Sequence, residues 1–211
     1  MNAWLTIAVA VLAYLVGSVS FAWIFAKRLK GVDLRAFGSG NLGATNAGRL
    51  LGRRMAVLIY ALDFAKGFVP VFVLRRPLGD PLGPGGVPVA VVAGLAALLG
   101  HCFPIWHNFR GGKGVATASG LIVALTPVVA AIAFGLFGVI VAITRRISAG
   151  SIVAAASLPV AQAAVSGRSG TSSGFVLAFY VAIAVLVIAR HHQNLRRLLR
   201  GEEPRIGAGK P

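Results

Sequence analysis

Three observations predict an all-α membrane protein with seven transmembrane helices. Of the 211 residues, 57% are hydrophobic and 12% are charged, and the mean hydropathy is +0.82. This composition is typical of a polytopic membrane protein rather than of a soluble domain. Seven apolar runs are separated by short polar segments, and most basic residues fall in alternate segments. We therefore expect a single integral membrane domain over residues 1–211.

The apolar runs predict one helix each. The first has 23 residues, roughly 35 Å of helix at ~1.5 Å per residue, which crosses a hydrocarbon layer of ~30 Å with some tilt. The fourth is short, so Thr126-Pro127 is either a turn between two spans or a kink in one long helix. Residues 78–86, with two prolines, are expected to form an outside loop. The predicted spans are 3–25, 56–74, 87–100, 115–126, 128–144, 149–165 and 175–189.

Charge favours seven spans over six. With seven, the polar segments 27–54, 101–114, 145–148 and 190–211 share one side and carry 7, 2, 2 and 6 of the 21 Lys and Arg residues. The positive-inside bias then places the N-terminus outside and the C-terminus in the cytoplasm. Merging the fourth and fifth spans would put 27–54 and 190–211 on opposite sides.

Composition also excludes several classes of function. The net charge of +16 is explained by basic loops facing anionic lipid headgroups, so no nucleic-acid partner is predicted. The single Cys102 excludes a disulfide framework and a CxxC site. The five acidic residues are too few and too scattered for a Mg²⁺ site, so no metal and no cofactor are predicted. No His-x-x-x-x-Asp motif is present.

The first polar segment, residues 39–49, reads Ser-Gly-Asn-Leu-Gly-Ala-Thr-Asn-Ala-Gly-Arg. Its glycines allow consecutive N–H groups to surround an anion, and Arg49 supplies a two-pronged cation suited to a phosphate. A flexible linker would also be rich in glycine, but it would not repeat this polarity on the same side of the membrane. The segment predicts a phosphate cradle formed by Ser39, Gly40, Asn41, Gly43, Thr45, Asn46 and Arg49.

The second polar segment, Gly111-Gly112-Lys113-Gly114, leads directly into the fourth span. Lys113 is therefore expected near a helix N-terminus, where N–H groups and the helix dipole attract anions. The segment is not a P-loop, because GxxxxGK[ST] would need Gly and Ser or Thr where His107 and Gly114 stand. Anchoring of a cytoplasmic loop is the alternative role of Lys113.

The third polar segment (190–194) contains His191 and Asn194, and the fourth (196–203) contains three arginines and Glu203. Histidine titrates near neutrality and can transfer a proton. An interfacial histidine and a headgroup-binding arginine face are the simpler alternatives. Asp63 and Lys66, one helical turn apart in the second span, form either a functional site or a self-neutralising structural pair.

These segments closely resemble, in order and over nearly the whole chain, the motifs of the bacterial acyl-phosphate:glycerol-3-phosphate acyltransferases (PlsY type). The matching stretches are 39–49, Gly100-His101 with 111–117, Arg190-His191-x-x-Asn194, and 197–203. Leu42 and Arg110 replace a common proline and a common lysine.

The resemblance implies a seven-helix inner-membrane enzyme with a cytoplasmic active site. It would transfer a fatty acyl group from acyl phosphate to the 1-hydroxyl of sn-glycerol 3-phosphate, giving lysophosphatidic acid and phosphate. Catalytic roles fall on Lys113, His191, Ser39 and Arg49. Substrate binding falls on Gly40, Asn41, Gly43, Thr45, Asn46, Gly111, Gly112, Asn194 and Glu203.

The expected partners are acyl phosphate, glycerol 3-phosphate and membrane lipid, and a monomer is one of the states that the sequence allows. Two other classes remain as alternatives. A small transporter or channel for phosphorylated anions would place its polar breaks near mid-membrane, where only Asp63 and Lys66 are candidates. A lipid-binding scaffold would not explain the hydroxyl and amide groups of the first polar segment.

Overall fold

The computed structural model describes residues 2–75, 88–169 and 174–207, and these residues form ten α-helices. The chain divides into two compact units, Met1–Leu125 and Thr126–Pro211. Short 3-10 turns lie at Leu34–Ala36 and Ile105–His107. The helices are α1 (Ala3–Ser18), α2 (Phe21–Lys30), α3 (Ala44–Leu51), α4 (Arg53–Arg75), α5 (Val89–Cys102), α6 (Val115–Leu125), α7 (Pro127–Thr144), α8 (Ile147–Ser169), α9 (Gly174–Arg190) and α10 (His192–Leu199).

Every predicted apolar run contains a helix, and the all-α class is confirmed. Among the described residues, five helical segments are long and apolar enough to cross a membrane, and the bent pair α9–α10 raises the number to six. Helix α6 has 11 residues, about 16 Å of helix, and is too short to cross a bilayer unaided. Seven crossings therefore stay a prediction, and the predicted loop 78–86 lies outside the described residues.

The first apolar run is not the single helix predicted for residues 3–25. Helix α1 ends at Ser18, Val19 is extended, and α2 begins at Phe21 with Ser20 as its N-cap, whose side chain accepts a hydrogen bond from the amide of Trp23. A broken helix in an apolar environment leaves carbonyl groups without intrahelical donors. The side chain of Lys66 donates to the carbonyl oxygens of Gly17 and Val19 and so satisfies the break.

Small residues bring the helices of the first unit into close contact. A methyl group at Gly17 or Gly100 would overlap the backbone of the partner helix in the α1–α5 pair. Gly67 and Gly120 have the same role between α4 and α6. This approach of backbones is typical of helix packing in membranes.

An apolar cluster of the first unit packs against the first polar segment. It joins α2, the turn before that segment, α3 and α4, and it includes Leu42, which is 2% exposed. Leu42 therefore anchors the segment by burial. The fully buried members of the cluster are Ala22, Ala26, Leu34, Leu42, Ala47 and Ile59.

In the second unit, α7 packs on α8, and α8 packs on α9. Gly150 of α8 lies against Phe137 and Val141 of α7, where a larger side chain would not fit. The other face of α7 exposes large apolar side chains, among them Val139 and Ile143. A helix with such a face is suited to contact with lipid.

Candidate active site

Asn46 organises the first polar segment. It is 2% exposed, and its Oδ1 accepts a hydrogen bond from the amide of Ser39 at 3.1 Å. Its Nδ2 donates to the carbonyl oxygens of Phe37 at 2.9 Å, Asn41 at 3.0 Å and Leu34 at 3.4 Å. Because this amide is used within the loop, Asn46 holds the segment in shape. The assignment of Asn46 to substrate binding stays a prediction beside this positioning role.

The backbone of this segment turns at two glycines. Gly38 and Gly40 have φ values of +58° and +67°, a region that favours glycine, and a side chain at Gly38 would strike Asn46. The amide of Gly40 donates to the carbonyl of Phe37, so Gly40 shapes the turn.

The second half of the segment is helical rather than a loop, because α3 begins at Ala44 with Gly43 as its N-cap. Thr45 and Arg49 stand four residues apart and share one face of α3, and both are exposed, as is Ser39. The amides of Asn46 and Ala47 donate to the carbonyl of Gly43, whereas the amides of Ala44 and Thr45 precede these bonds at the N-terminus of α3, which favours an anion. Residues 39–49 thus present hydroxyl, guanidinium and amide donors.

The second polar segment folds back on the end of α5. The amide of Gly111 donates to the carbonyl of Cys102 at 3.2 Å, and that of Gly112 donates to the carbonyl of His101 at 3.0 Å. A side chain at Gly111 would strike that carbonyl of His101, and one at Gly112 would strike the imidazole of His101. These amides donate to carbonyl groups of the chain itself and so shape the segment, and the assignment of both glycines to substrate binding stays a prediction.

The structure brings the first and second polar segments together. Nδ2 of Asn41 donates to the carbonyl oxygen of Gly111 at 3.3 Å. Gly114 has φ +84°, and α6 begins at the next residue. Lys113, half-buried, therefore stands two residues before a helix N-terminus, as predicted from the sequence.

In the second unit, the third polar segment lies at a bend of 62° between α9 and α10, with His191 at the bend. His191 is 3% exposed, and its Nδ1 lies 2.8 Å from the carbonyl oxygen of Val187. A carbonyl only accepts, so this contact assigns the ring proton to Nδ1. Nε2 is then the ring nitrogen that can accept a proton.

Glu203 joins the third and fourth polar segments. Its Oε1 accepts from Ser148 Oγ and from Asn194 Nδ2, each at 2.6 Å, and its Oε2 accepts from Arg197 Nε at 2.7 Å. The Nε of Arg146 donates to the Glu203 carbonyl at 3.1 Å. Glu203, 7% exposed, is thus bound by donors of the chain itself, and its assignment to substrate binding stays a prediction. It orients Asn194 and Arg197.

The same contacts set the pKa of Glu203. Burial raises it, whereas the hydrogen bonds from Ser148, Asn194 and Arg197 and the charge of Arg197 lower it. The net result is a pKa below the ordinary value of 4.5. The carboxylate is therefore ionised at neutral pH and holds its three donors as a charged acceptor.

Asp63 and Lys66 form a closed ion pair within α4. Lys66 Nζ lies 2.6 Å from Asp63 Oδ1, and both side chains are almost fully buried. His101 Nδ1 lies 3.6 Å from the same oxygen. The i, i+3 spacing of the pair is visible in the sequence, but the contact with His101 depends on helix packing and has no local signal. Within the described ranges, no group of three or more His, Cys, Asp or Glu residues is arranged to hold a metal ion.

Sequence comparison identifies many similar proteins. A family model described as "Glycerol-3-phosphate acyltransferase" matches residues 7–201. A protein of that name from Geobacter sulfurreducens is 46% identical over 196 residues, which cover 93% of this chain and 95% of that protein. The protein of that name from Aquifex aeolicus is 42% identical over 200 residues, which cover 93% and 96% of the two chains.

Solved structures show the same fold. This chain superposes with a TM-score of 0.84 on a crystal structure of PlsY, an integral membrane glycerol 3-phosphate acyltransferase, in its glycerol 3-phosphate form. The two are 41% identical, and the match covers 96% of each chain. A lysophosphatidic acid form matches with a TM-score of 0.80 at 40% identity, over 95% of this chain and 94% of that one.

Proposed function

This chain belongs to the glycerol-3-phosphate acyltransferase family, and from this premise we propose that it transfers a fatty acyl group from acyl phosphate to the 1-hydroxyl of sn-glycerol 3-phosphate. The products are lysophosphatidic acid and inorganic phosphate. The related crystal forms, one with glycerol 3-phosphate and one with lysophosphatidic acid, support this substrate and this product. The reaction begins phospholipid synthesis.

The observation that carries the proposal is the cationic site of the first unit, where Asn41 joins two glycine-containing segments that bear Arg49 and Lys113. Both proposed substrates carry a phosphate. Arg49 binds a phosphate with its planar fork, and Lys113 binds one as a point charge. Ser39 and Thr45 add hydroxyl donors, and the N-terminus of α3 adds N–H groups.

For this reaction the protein needs mainly to position the two substrates and to stabilise the charge that develops in the transition state. The hydroxyl oxygen attacks the acyl carbon, the bond from that carbon to the phosphate oxygen breaks, and phosphate leaves. Because phosphate is a good leaving group, no covalent protein intermediate is needed. Cations that stabilise the developing charge lower the barrier directly.

From the family's motifs, we assign His191 and Asn194 to the glycerol part of the acceptor. The attacking hydroxyl loses its proton either to Nε2 of His191 or to a phosphate oxygen of the substrate. Replacing His191 by Gln, with His192→Gln as the exposed neighbouring control, distinguishes these routes. A base role predicts that the acidic limb of the pH–rate profile disappears in His191→Gln only.

We also propose that both units form one acyltransferase domain of seven spans in the bacterial inner membrane, with the active site on the cytoplasmic side. The family match runs across both units, from residue 7 to 201. The basic residues support the orientation, because 17 of 21 fall in segments on one predicted side. Labelling of single cysteines in a Cys102→Ser background should place positions in 27–54 and 190–211 on the same, cytoplasmic, side. Opposite sides would refute the seven-span arrangement.

The reaction is tested with purified protein in detergent, glycerol 3-phosphate and three donors of equal chain length. Acyl phosphate should support turnover, whereas acyl-CoA and acyl-carrier-protein should not. The rate should be unchanged in excess EDTA, because the few acidic residues form no carboxylate cluster in the sequence. Turnover with a thioester donor, or loss of rate that Mg²⁺ restores, would contradict the proposal.

A further inference from the structure

The ion pair inside α4 is connected to more of the first unit than a self-neutralising pair requires. Asp63 and Lys66 are 2% and 4% exposed, and charges at such depth are costly unless a specific role retains them. Lys66 bonds the carbonyl groups at the α1–α2 break and lies over the ring of Phe21, 4.9 Å from its centroid. The cation therefore fixes α4 against the start of α2.

Asp63 contacts both ends of the stretch that carries Lys113. Before that stretch, His101 at the end of α5 places Nδ1 3.6 Å from the Asp63 carboxylate. After it, Thr117 of α6 donates its hydroxyl to the Asp63 carbonyl at 2.9 Å. One residue of α4 thus fixes the two helices between which the second polar segment runs.

His101 connects Asp63 to the glycines of the second polar segment. Its carbonyl accepts the amide of Gly112, and its imidazole occupies the space that a side chain at Gly112 would need. A rotation of the imidazole would therefore displace Gly112 and, one residue later, Lys113. Gly111 in turn accepts the hydrogen bond from Asn41, so the constraint also reaches the first polar segment.

We propose that Asp63, Lys66 and His101 form a buried positioning cluster that sets the place of Lys113 against the phosphate in the transition state. The carboxylate of Asp63 orients the imidazole of His101, Lys66 balances the carboxylate, and the imidazole supports the backbone before Lys113. None of the three is a catalytic residue. The proposal rests on the acyltransferase function and on the phosphate role of Lys113 proposed above.

A double-mutant cycle between His101 and Lys113 tests this role. His101→Phe keeps a ring of similar size but removes both nitrogens, and a misplaced donor costs on the order of 10²-fold in kcat at saturating glycerol 3-phosphate. If His101 acts through Lys113, His101→Phe combined with Lys113→Ala should be no slower than Lys113→Ala alone. Losses that multiply would show that His101 does not act through Lys113 and would overturn the proposal.

Two further variants keep the test decisive if His101→Phe folds poorly. His101→Asn retains a donor near the Nδ1 position and should recover part of the lost kcat. Asp63→Leu/Lys66→Met removes both buried charges together, which avoids an unpaired ion. It should unfold at a lower temperature than the unmodified protein, because the carbonyl groups of Gly17 and Val19 lose their donor, but it should still be isolated as folded protein by size-exclusion profile and lose about as much kcat as His101→Phe. Wild-type kcat in this double variant would refute the proposal.

His107→Phe is the matched control. His107 is 7% exposed, as is His101, and it packs on Trp23 with ring centroids 5.0 Å apart. This variant should keep kcat within about threefold, the scale of a neutral surface or packing change. An equal loss in His107→Phe and His101→Phe would also overturn the proposal. Absence of acyl transfer by the unmodified protein would instead refute the proposed function itself.

Discussion

The polar region around Asn46 and the polar region around Glu203 are each held in shape by one buried side chain. Asn46 is neutral, whereas Glu203 is charged. In the first unit, the amide of Asn46 bonds four backbone groups of the segment around it. In the second unit, the carboxylate of Glu203 bonds three side chains and so ties residues 194–203 to the start of α8. A neutral support does not titrate, whereas a carboxylate does.

This difference separates the roles of polar residues that look alike in the sequence. Around Asn46, the groups that remain at the surface are Ser39, Thr45 and Arg49. Around Glu203, Asn194 is itself buried and oriented by the carboxylate. The first region therefore presents donors on a rigid neutral support, and the second depends on an ion for its shape.

The largest expected effect in this comparison is at Arg49. Arg49→Ala should lower kcat by about 10²–10³-fold, the usual cost of losing one donor to transition-state charge. Arg49→Lys should restore little, because lysine lacks the planar fork. The control is Arg54→Ala, an exposed arginine at the start of α4. Initial rates at saturating glycerol 3-phosphate measure the effect, and equal rates for Arg49→Ala and Arg54→Ala would remove Arg49 from the site.

The second-largest effect is expected at Asn46, the neutral side chain that holds the first polar segment. Asn46→Asp keeps the acceptor for the amide of Ser39 but replaces the donor that serves three carbonyl groups, so the loop should open. We expect kcat/KM for glycerol 3-phosphate to fall by about 10²-fold.

Asn2→Asp makes the same chemical change at the exposed N-cap of α1, where aspartate caps equally well. It should leave both activity and thermal midpoint unchanged. Wild-type kinetics in Asn46→Asp would show that the segment does not depend on its amide.

The smallest effect is expected at Glu203, and it concerns the stability of the folded protein. Because the pKa of Glu203 is lowered in the folded protein, its stabilising contribution is complete above the ordinary value of 4.5 and is lost as pH falls through the lower, folded pKa. Glu203→Gln should cost about 1–3 kcal/mol at pH 7. Thermal unfolding in detergent should show this difference shrinking on acidification below about pH 4.5, and a difference independent of pH would contradict the ionised role.

The positions of most helices were predictable from the sequence, because a helix in contact with lipid requires a run of apolar residues. The ends of the predicted runs agree with the structure within a few residues in α4 to α9. The break between α1 and α2 was not predictable, because it depends on Lys66, which is distant in sequence and satisfies the carbonyl groups of an otherwise continuous apolar run. Helix α3 was not predicted, because the glycine and polar residues of 44–51 are more typical of a turn than of a helix.

The candidate site residues were chosen from residue types and spacing, but the contacts that their side chains make within the chain were not predictable. Residue types and spacing indicate that Asn46, Gly112 and Glu203 matter, but whether such a group faces a substrate or its own backbone is decided by tertiary contacts. His101 illustrates the same limit, because its partners Asp63 and Gly112 lie 38 residues before it and 11 after it.

A cation next to the start of α6 is proposed to stabilise phosphate in the transition state, and the variant Lys113→Ala tests this role. The matched control is Lys30→Ala, an exposed lysine at the end of α2. Both variants are compared by initial rate with acyl phosphate at saturating glycerol 3-phosphate, normalised to folded protein by size-exclusion profile. We predict a loss of about 10²–10³-fold in kcat for Lys113→Ala and a near-normal rate for Lys30→Ala. Equal rates in the two variants would show that Lys113 only anchors its loop at the membrane surface and does not stabilise phosphate.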